Sequence, residues 1–140
     1  MSPFLFDSSA IIALCGRKEL DELLQGWTVD LSFYELGNAV WKQVHLYRTL
    51  KMEEASLALD ALISVFRKMK RVTEVDALKA LEVATKEGLT YYDAAYLQAA
   101  MEKGMTLVTD DARLKEVGSK YVRAVTSDGL IGRTSSGIRG

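Results

Sequence analysis

The sequence predicts an α/β fold, a three-layer sandwich in which helices cover both faces of a central, mostly parallel sheet. Three observations predict it. The runs Phe4-Leu5-Phe6 and Met105-Thr106-Leu107-Val108 are apolar without strict alternation, as strands buried on both faces are. Each run meets acids at its carboxyl end, Asp7 in the first case and Asp110-Asp111 in the second, and then gives way to a helical pattern. Between them, strand-like and amphipathic helical segments alternate, the pattern of parallel strands joined by crossover helices.

With 140 residues and 15.5 kDa, the chain is long enough to bury a core of its own as one domain. That domain is expected over residues 1–126, with 127–140, rich in Gly and Ser, as a loose C-terminal tail. The 18 basic and 19 acidic residues give a net charge of −1, so any attraction to phosphate must be local. Cys15 has no partner for an internal disulfide and stands in an apolar run, which reads as a small buried hydrophobe in a reducing cytoplasm. The longest apolar run, Ala10 to Cys15, falls far short of a membrane span, and the N-terminus lacks a basic leader, so a soluble protein without a membrane partner is expected.

In chain order, the strand ending at Asp7 leads into a helix from about Ser9 to Cys15 that closes near Gly16, and residues 19–24 form a second short helix ending at Gly26. Trp27 to Leu31 reads as a strand. Ser32-Phe33-Tyr34-Glu35 has the capping-box pattern and opens a helix to about Leu50, with Glu35, Asn38, Lys42 and His45 along its polar stripe. A second long helix from Met52 to about Met69 pairs with it as a hairpin through Ala55, Leu59, Leu62, Ile63 and Phe66. Arg67, Lys68, Lys70 and Arg71 form a basic cluster, read as a solvated face, before a short strand around Val72. Asp76 to Glu87 reads as a helix with Leu78, Leu81 and Ala84 inward and Gly88 at its end. The alanine-rich helix from Leu89 to Ala100 holds Asp93 in its first turn, and Gly104 closes it. After the strand at 105–108, Thr109-Asp110-Asp111 precedes a helix through Val117, and Tyr121 to Val125 is the last strand.

Each acid singled out has a plain structural reading, because carboxylates favour helix N-termini. Asp7 reads equally as a cap and as a site acid. Four acids are harder to dismiss, because the helices of a parallel sheet begin on one edge, where Asp7, Glu35, Asp93 and Asp110 or Asp111 would converge. Two carboxylates about 4 Å apart repel by roughly 4 kcal/mol at an effective dielectric near 20, so such a cluster either protonates or binds a cation. All-oxygen ligands suit Mg²⁺ or Mn²⁺, and one Cys with one His argues against zinc. A hard cation held there is suited to phosphodiester cleavage.

At these residues the sequence resembles the PIN-domain family and, within it, VapC-type toxin ribonucleases. The likeness spans residues 4–125 through Phe6-Asp7-Ser8-Ser9, Tyr34-Glu35-Leu36-Gly37-Asn38, Asp93-Ala94-Ala95-Tyr96-Leu97 and Leu107-Val108-Thr109-Asp110-Asp111-x-x-Leu114. The resemblance implies a Mg²⁺- or Mn²⁺-dependent endoribonuclease, homodimeric and held inactive by an antitoxin protein. By the family's pattern Asp7, Glu35 and Asp93 are acids of the site, with Ser9, Asn38 and Thr109 supporting. The fourth acid is Asp111 by the usual Thr-x-Asp spacing, with Asp110 the alternative and a further candidate metal ligand. Lys42 and Arg113 are candidates for substrate phosphate, each weighed against a solvated surface role.

Two other classes compete. An aspartyl-phosphate phosphotransferase or phosphatase would use Asp7 as acceptor, but it lacks a second Asp at position 9 or an acidic pair upstream. A non-enzymatic PIN-like binding module would have no need to keep acids at all four places.

Overall fold

The computed structural model describes residues 3–132. Five strands, β1 (Phe4–Phe6), β2 (Trp27–Val29), β3 (Lys70–Val72), β4 (Thr106–Val108) and β5 (Ala124–Val125), form one sheet in the order β3-β2-β1-β4-β5, with every pair parallel. Leu5 pairs with Leu107 and Phe6 with Val108. Because successive strand residues face opposite sides, the two pairs feed two separate cores. Leu5 and Leu107 pack with Leu97, Ala100, Leu114 and Val117, while Phe6 and Val108 pack with Ile11, Leu14, Leu36, Leu62 and Phe66. The result is the expected three-layer α/β sandwich.

The second layer of helices comprises α1 (Ser8–Gly16), α2 (Asp21–Gln25), α3 (Ser32–Trp41) and α4 (Met52–Lys68). The opposite layer holds α5 (Ala77–Glu87), α6 (Tyr91–Lys103) and α7 (Ala112–Gly118). Helix α6 lies against the sheet on Ala94, Ala99 and Ala100, all fully buried, so its small side chains let the backbone approach closely. Gly88 and Gly104 follow α5 and α6 at φ 69° and 64°, left-handed positions that an L side chain enters only with strain. Gly26 is needed for another reason. A Cβ there would stand 2.4 Å from the Phe6 ring, so the β1–β2 contact admits no side chain.

Several expectations need correction. The long helix does not run as an α-helix to Leu50: α3 ends at Trp41, and Lys42–Leu46 forms a π-helical turn. Leu78 and Leu81 are exposed at 72% and 53%, because α5 turns Ala80 and Ala84 toward α6, where only small side chains fit. The strands at 27 and 124 are shorter than their apolar runs. Residues 127–132 are helical rather than loose, with Ser127 and Leu130 buried at 3% and 2% exposure. Leu130 joins the core beside Phe6 and Val108, and Asp110 caps Ser127, which is why this part of the expected tail is docked. The remainder of that tail, 133–140, lies outside the described residues.

Candidate active site

The reversal of strand order in this sheet falls between β1 and β4, the place where sites form outside the carboxyl ends of parallel strands. Asp7 follows β1 and Thr109 follows β4, and their side chains meet there. Thr109 Oγ1 donates to Asp7 Oδ2 in a very short hydrogen bond, and Asp7 Oδ1 accepts from Ser9 Oγ at 2.7 Å and from the Ala10 amide at 2.9 Å. The cap and site readings of Asp7 are therefore compatible: the carboxylate that closes α1 also forms the floor of the edge. It is only 4% exposed. Burial raises its pKa to about 6, against the opposing pull of its bonds from Thr109, Ser9 and Ala10, with Asp93 adding repulsion.

Ser9 and Thr109 also organise the loop after β4. Ser9 Oγ accepts from the Asp110 amide at 2.9 Å, and Thr109 Oγ1 accepts from the Asp111 amide at 3.0 Å. The adjacent acids then part. Asp111 caps α7, its Oδ1 accepting from the Leu114 amide at 2.8 Å. Asp110 is turned to the C-terminal helix, with Oδ1 accepting from the Ser127 amide at 2.8 Å and Oδ2 from Ser127 Oγ at 2.6 Å. Both Asp110 oxygens are thus engaged away from Asp7.

The capping box expected at Ser32 and Glu35 does not form. The Glu35 amide bonds to the Leu31 carbonyl at 3.2 Å, and Ser32, fully buried, turns its hydroxyl inward to Thr28 and Tyr96. Glu35 is consequently free to face the edge, where its Oε1 accepts from Ser8 Oγ at 3.0 Å and from Tyr96 OH at 2.7 Å. Burial and the Glu35 charge push the Tyr96 phenol far up, which keeps it a donor.

Asp93 supplies the link between the acids. Thr90 caps α6 by accepting from the Asp93 amide at 3.1 Å, and its hydroxyl also bonds the Asp93 carboxylate. Desolvation, then Asp111, then Glu35 raise its pKa to about 6. Asp93 therefore feels both Asp111 and Glu35, and Asp7 feels Asp93. Asp7, Glu35, Asp93 and Asp111 share one electrostatic field. They are spread, however: among the described residues no three His, Cys, Asp or Glu side chains stand ready to grip one ion directly.

The remaining sequence candidates lie differently. Asn38 and Lys42 are exposed on the α3 side, and no side-chain hydrogen bond of theirs is seen among the described residues. Arg113 Nη2 donates to the Glu87 carbonyl at 2.7 Å, so it closes the end of α5. His45 stacks on Trp41 at 5.1 Å between ring centroids. Sequence reasoning passed over Ser8, Thr28 and Tyr96 and misread Ser32. The only signal for them was a hydroxyl spacing that also fits caps and core.

The five-stranded parallel fold agrees with the comparisons. The PIN domain family matches residues 4–120, and the chain belongs to that family. Among individual proteins, the chain is 37% identical over 117 residues to Exonuclease VapC9 of Pyrobaculum aerophilum, covering 79% of this chain and 82% of that protein. It is 38% identical over 120 residues to Ribonuclease VapC3 of the same organism, covering 79% and 90%. Among solved structures, PAE2754 from Pyrobaculum aerophilum superposes with a TM-score of 0.82 at 30% identity, covering 96% of this chain and 90% of that one. FitAcB from Neisseria gonorrhoeae matches at a TM-score of 0.59 and 14% identity over 89% and 97%, a likeness of fold alone.

Proposed function

We propose that the protein is a Mg²⁺- or Mn²⁺-dependent endoribonuclease, the toxin of a VapBC-type toxin–antitoxin pair. The observation that carries this reading is the crowding of carboxylates at Asp93, whose pKa is raised to about 6 by burial, then Asp111, then Glu35, in spite of its bond from Thr90. Such an arrangement favours a cation over an empty state. The donor set fits a hard ion, with Asp7, Glu35, Asp93 and Asp111 as its holders. Their spacing accords with Mg²⁺ chemistry, because that ion keeps several waters and takes only one or two carboxylates directly. When bound, the ion supplies neutralisation of phosphodiester charge and a more acidic water.

The protein's own groups hold that arrangement in place. Thr109, Ser9 and the Ala10 amide fix Asp7, and Ser8 and Tyr96 fix Oε1 of Glu35. Lys42, exposed two turns beyond Glu35, is the nearest candidate on that helix for a substrate phosphate, whereas Arg113 is already committed to the Glu87 carbonyl. The relative named ribonuclease VapC3 supports an RNA substrate, the one named exonuclease VapC9 supports nuclease activity, and the toxin reading carries with it an antitoxin partner and a second copy of the chain. An aspartyl-phosphate mechanism fits less well, since both Asp7 oxygens already accept hydrogen bonds.

Glu35→Gln tests this reading. The amide oxygen of Gln can still accept from Ser8 and Tyr96, so the metal-free melting temperature should stay within a degree or two of the parent, consistent with about 0.5 kcal/mol or less at a surface-accessible site. Stabilisation by Mg²⁺ should shrink and RNA cleavage should fall by orders of magnitude. Full cleavage by the variant at ordinary Mg²⁺ concentration would remove Glu35 from the site.

A further inference from the structure

Three hydroxyls run through the core beneath the acids. Thr28 Oγ1, on β2, donates to the Phe6 carbonyl at 2.7 Å and stands 2.6 Å from Ser32 Oγ on α3. Ser32 Oγ is 2.8 Å from Tyr96 OH on α6, and Tyr96 OH donates to Glu35 Oε1 at 2.7 Å. The three residues are 0%, 0% and 1% exposed. Each hydroxyl has one proton, and Thr28 gives its own to the Phe6 carbonyl, Ser32 to Tyr96 and Tyr96 to Glu35, so the bonded line that reaches the Glu35 carboxylate begins at Ser32. Tyr96 itself lies three residues after Asp93, on the same helix face. The line thus joins α3 and α6, the elements that carry Glu35 and Asp93.

We infer that Ser32 and Tyr96 are positioning residues: Ser32 Oγ donating to Tyr96 OH, and Tyr96 OH to Glu35 Oε1, fix the Glu35 carboxylate relative to Asp93. This inference rests on the metal-dependent reading above. Satisfying buried hydroxyls does not by itself explain the last bond, because the Tyr96 proton could go to Ser32 Oγ instead. The bond to Glu35 is additional. It also lands on the same oxygen as the Ser8 bond, so Oε1 takes both donors and Oε2 accepts none among the described residues. An oxygen held in orientation by its neighbour's hydrogen bonds is the arrangement by which outer groups tune metal ligands.

The test titrates Mn²⁺ alone into the full chain by isothermal calorimetry, for the parent, Tyr96→Phe, Ser32→Ala and Ser32→Thr, and follows RNA cleavage against Mn²⁺ concentration in parallel. Tyr96→Phe should weaken Mn²⁺ binding by about tenfold or more and shift the concentration for half-maximal cleavage equally. The maximal rate at saturating Mn²⁺ should recover toward the parent. Ser32→Ala should show a smaller shift of the same kind, and Ser32→Thr should restore the parent value. A variant that melts lower yet binds Mn²⁺ like the parent would show a packing role only and overturn the inference. Should Tyr96→Phe fail to fold, Ser32→Ala, which leaves Tyr96 in place, decides by the same criterion. A parent that binds no Mn²⁺ would instead overturn the functional reading, and this inference with it.

Discussion

Asp7 shows how one side chain serves both fold and site, and its proton is where the two meet. An unfolded aspartate releases its proton near 3.8, whereas Asp7 and Asp93 in the folded protein do so at about 6. Between those values the native state holds more protons, so these groups favour folding most at low pH and their contribution falls as pH rises, the penalty being complete above about 6. For buried Asp7 a shift of that size corresponds to about 3 kcal/mol, and half-exposed Asp93 adds less because solvent screens it. The stability of the metal-free parent relative to Asp7→Asn should therefore decline from pH 5 to pH 7.5 in denaturant titrations. Stabilisation by Mg²⁺ should grow over the same interval, because proton and cation compete for the same oxygens. A relative stability flat across that range would contradict the burial argument.

At the scale of elements, the β4–α7 loop separates two adjacent acids into two tasks. Asp111 starts α7 and shares the field of Asp93, while Asp110 ties the helical residues 127–132 to the loop through Ser127. Asp111→Asn keeps a good cap and should leave the melting temperature nearly unchanged while abolishing cleavage. Asp110→Asn should do the reverse: it should lower stability by about 1 kcal/mol through the Ser127 bonds and leave most activity in place. Equal loss of cleavage in both variants would return Asp110 to the site. The same loop shows where sequence reading stops. The Thr-x-Asp spacing points to Asp111, but nothing local reveals that Ser127, 17 residues later, takes both oxygens of Asp110.

For the molecule as a whole, period and punctuation made most of the architecture legible. The apolar triplet Phe4-Leu5-Phe6 marked β1, the Leu107-Val108 pair ahead of Thr109-Asp110-Asp111 marked β4, and Gly88 and Gly104 marked the ends of α5 and α6. Legibility failed where tertiary contacts overrode local pattern. Ser32 and Glu35 satisfy the capping-box formula, yet a buried Tyr96 from 61 residues away draws Glu35 elsewhere. Leu78 and Leu81 are apolar, yet α5 presents its alanines to α6. The candidate acids were legible because a parallel sheet brings every strand end to one edge, whereas the hydroxyl chain beneath them depends on distances no spacing encodes. With a net charge of −1, the molecule has no global excess of positive charge to draw RNA, so the account places its activity in the acids and the ion they would hold.

Cleavage of a circular single-stranded RNA tests that central claim most directly, since only an endonuclease can open a closed strand. The account predicts cutting in Mg²⁺ or Mn²⁺, none in EDTA, and full recovery when the ion is restored in excess. Opening of the circle at an undiminished rate in EDTA would contradict it.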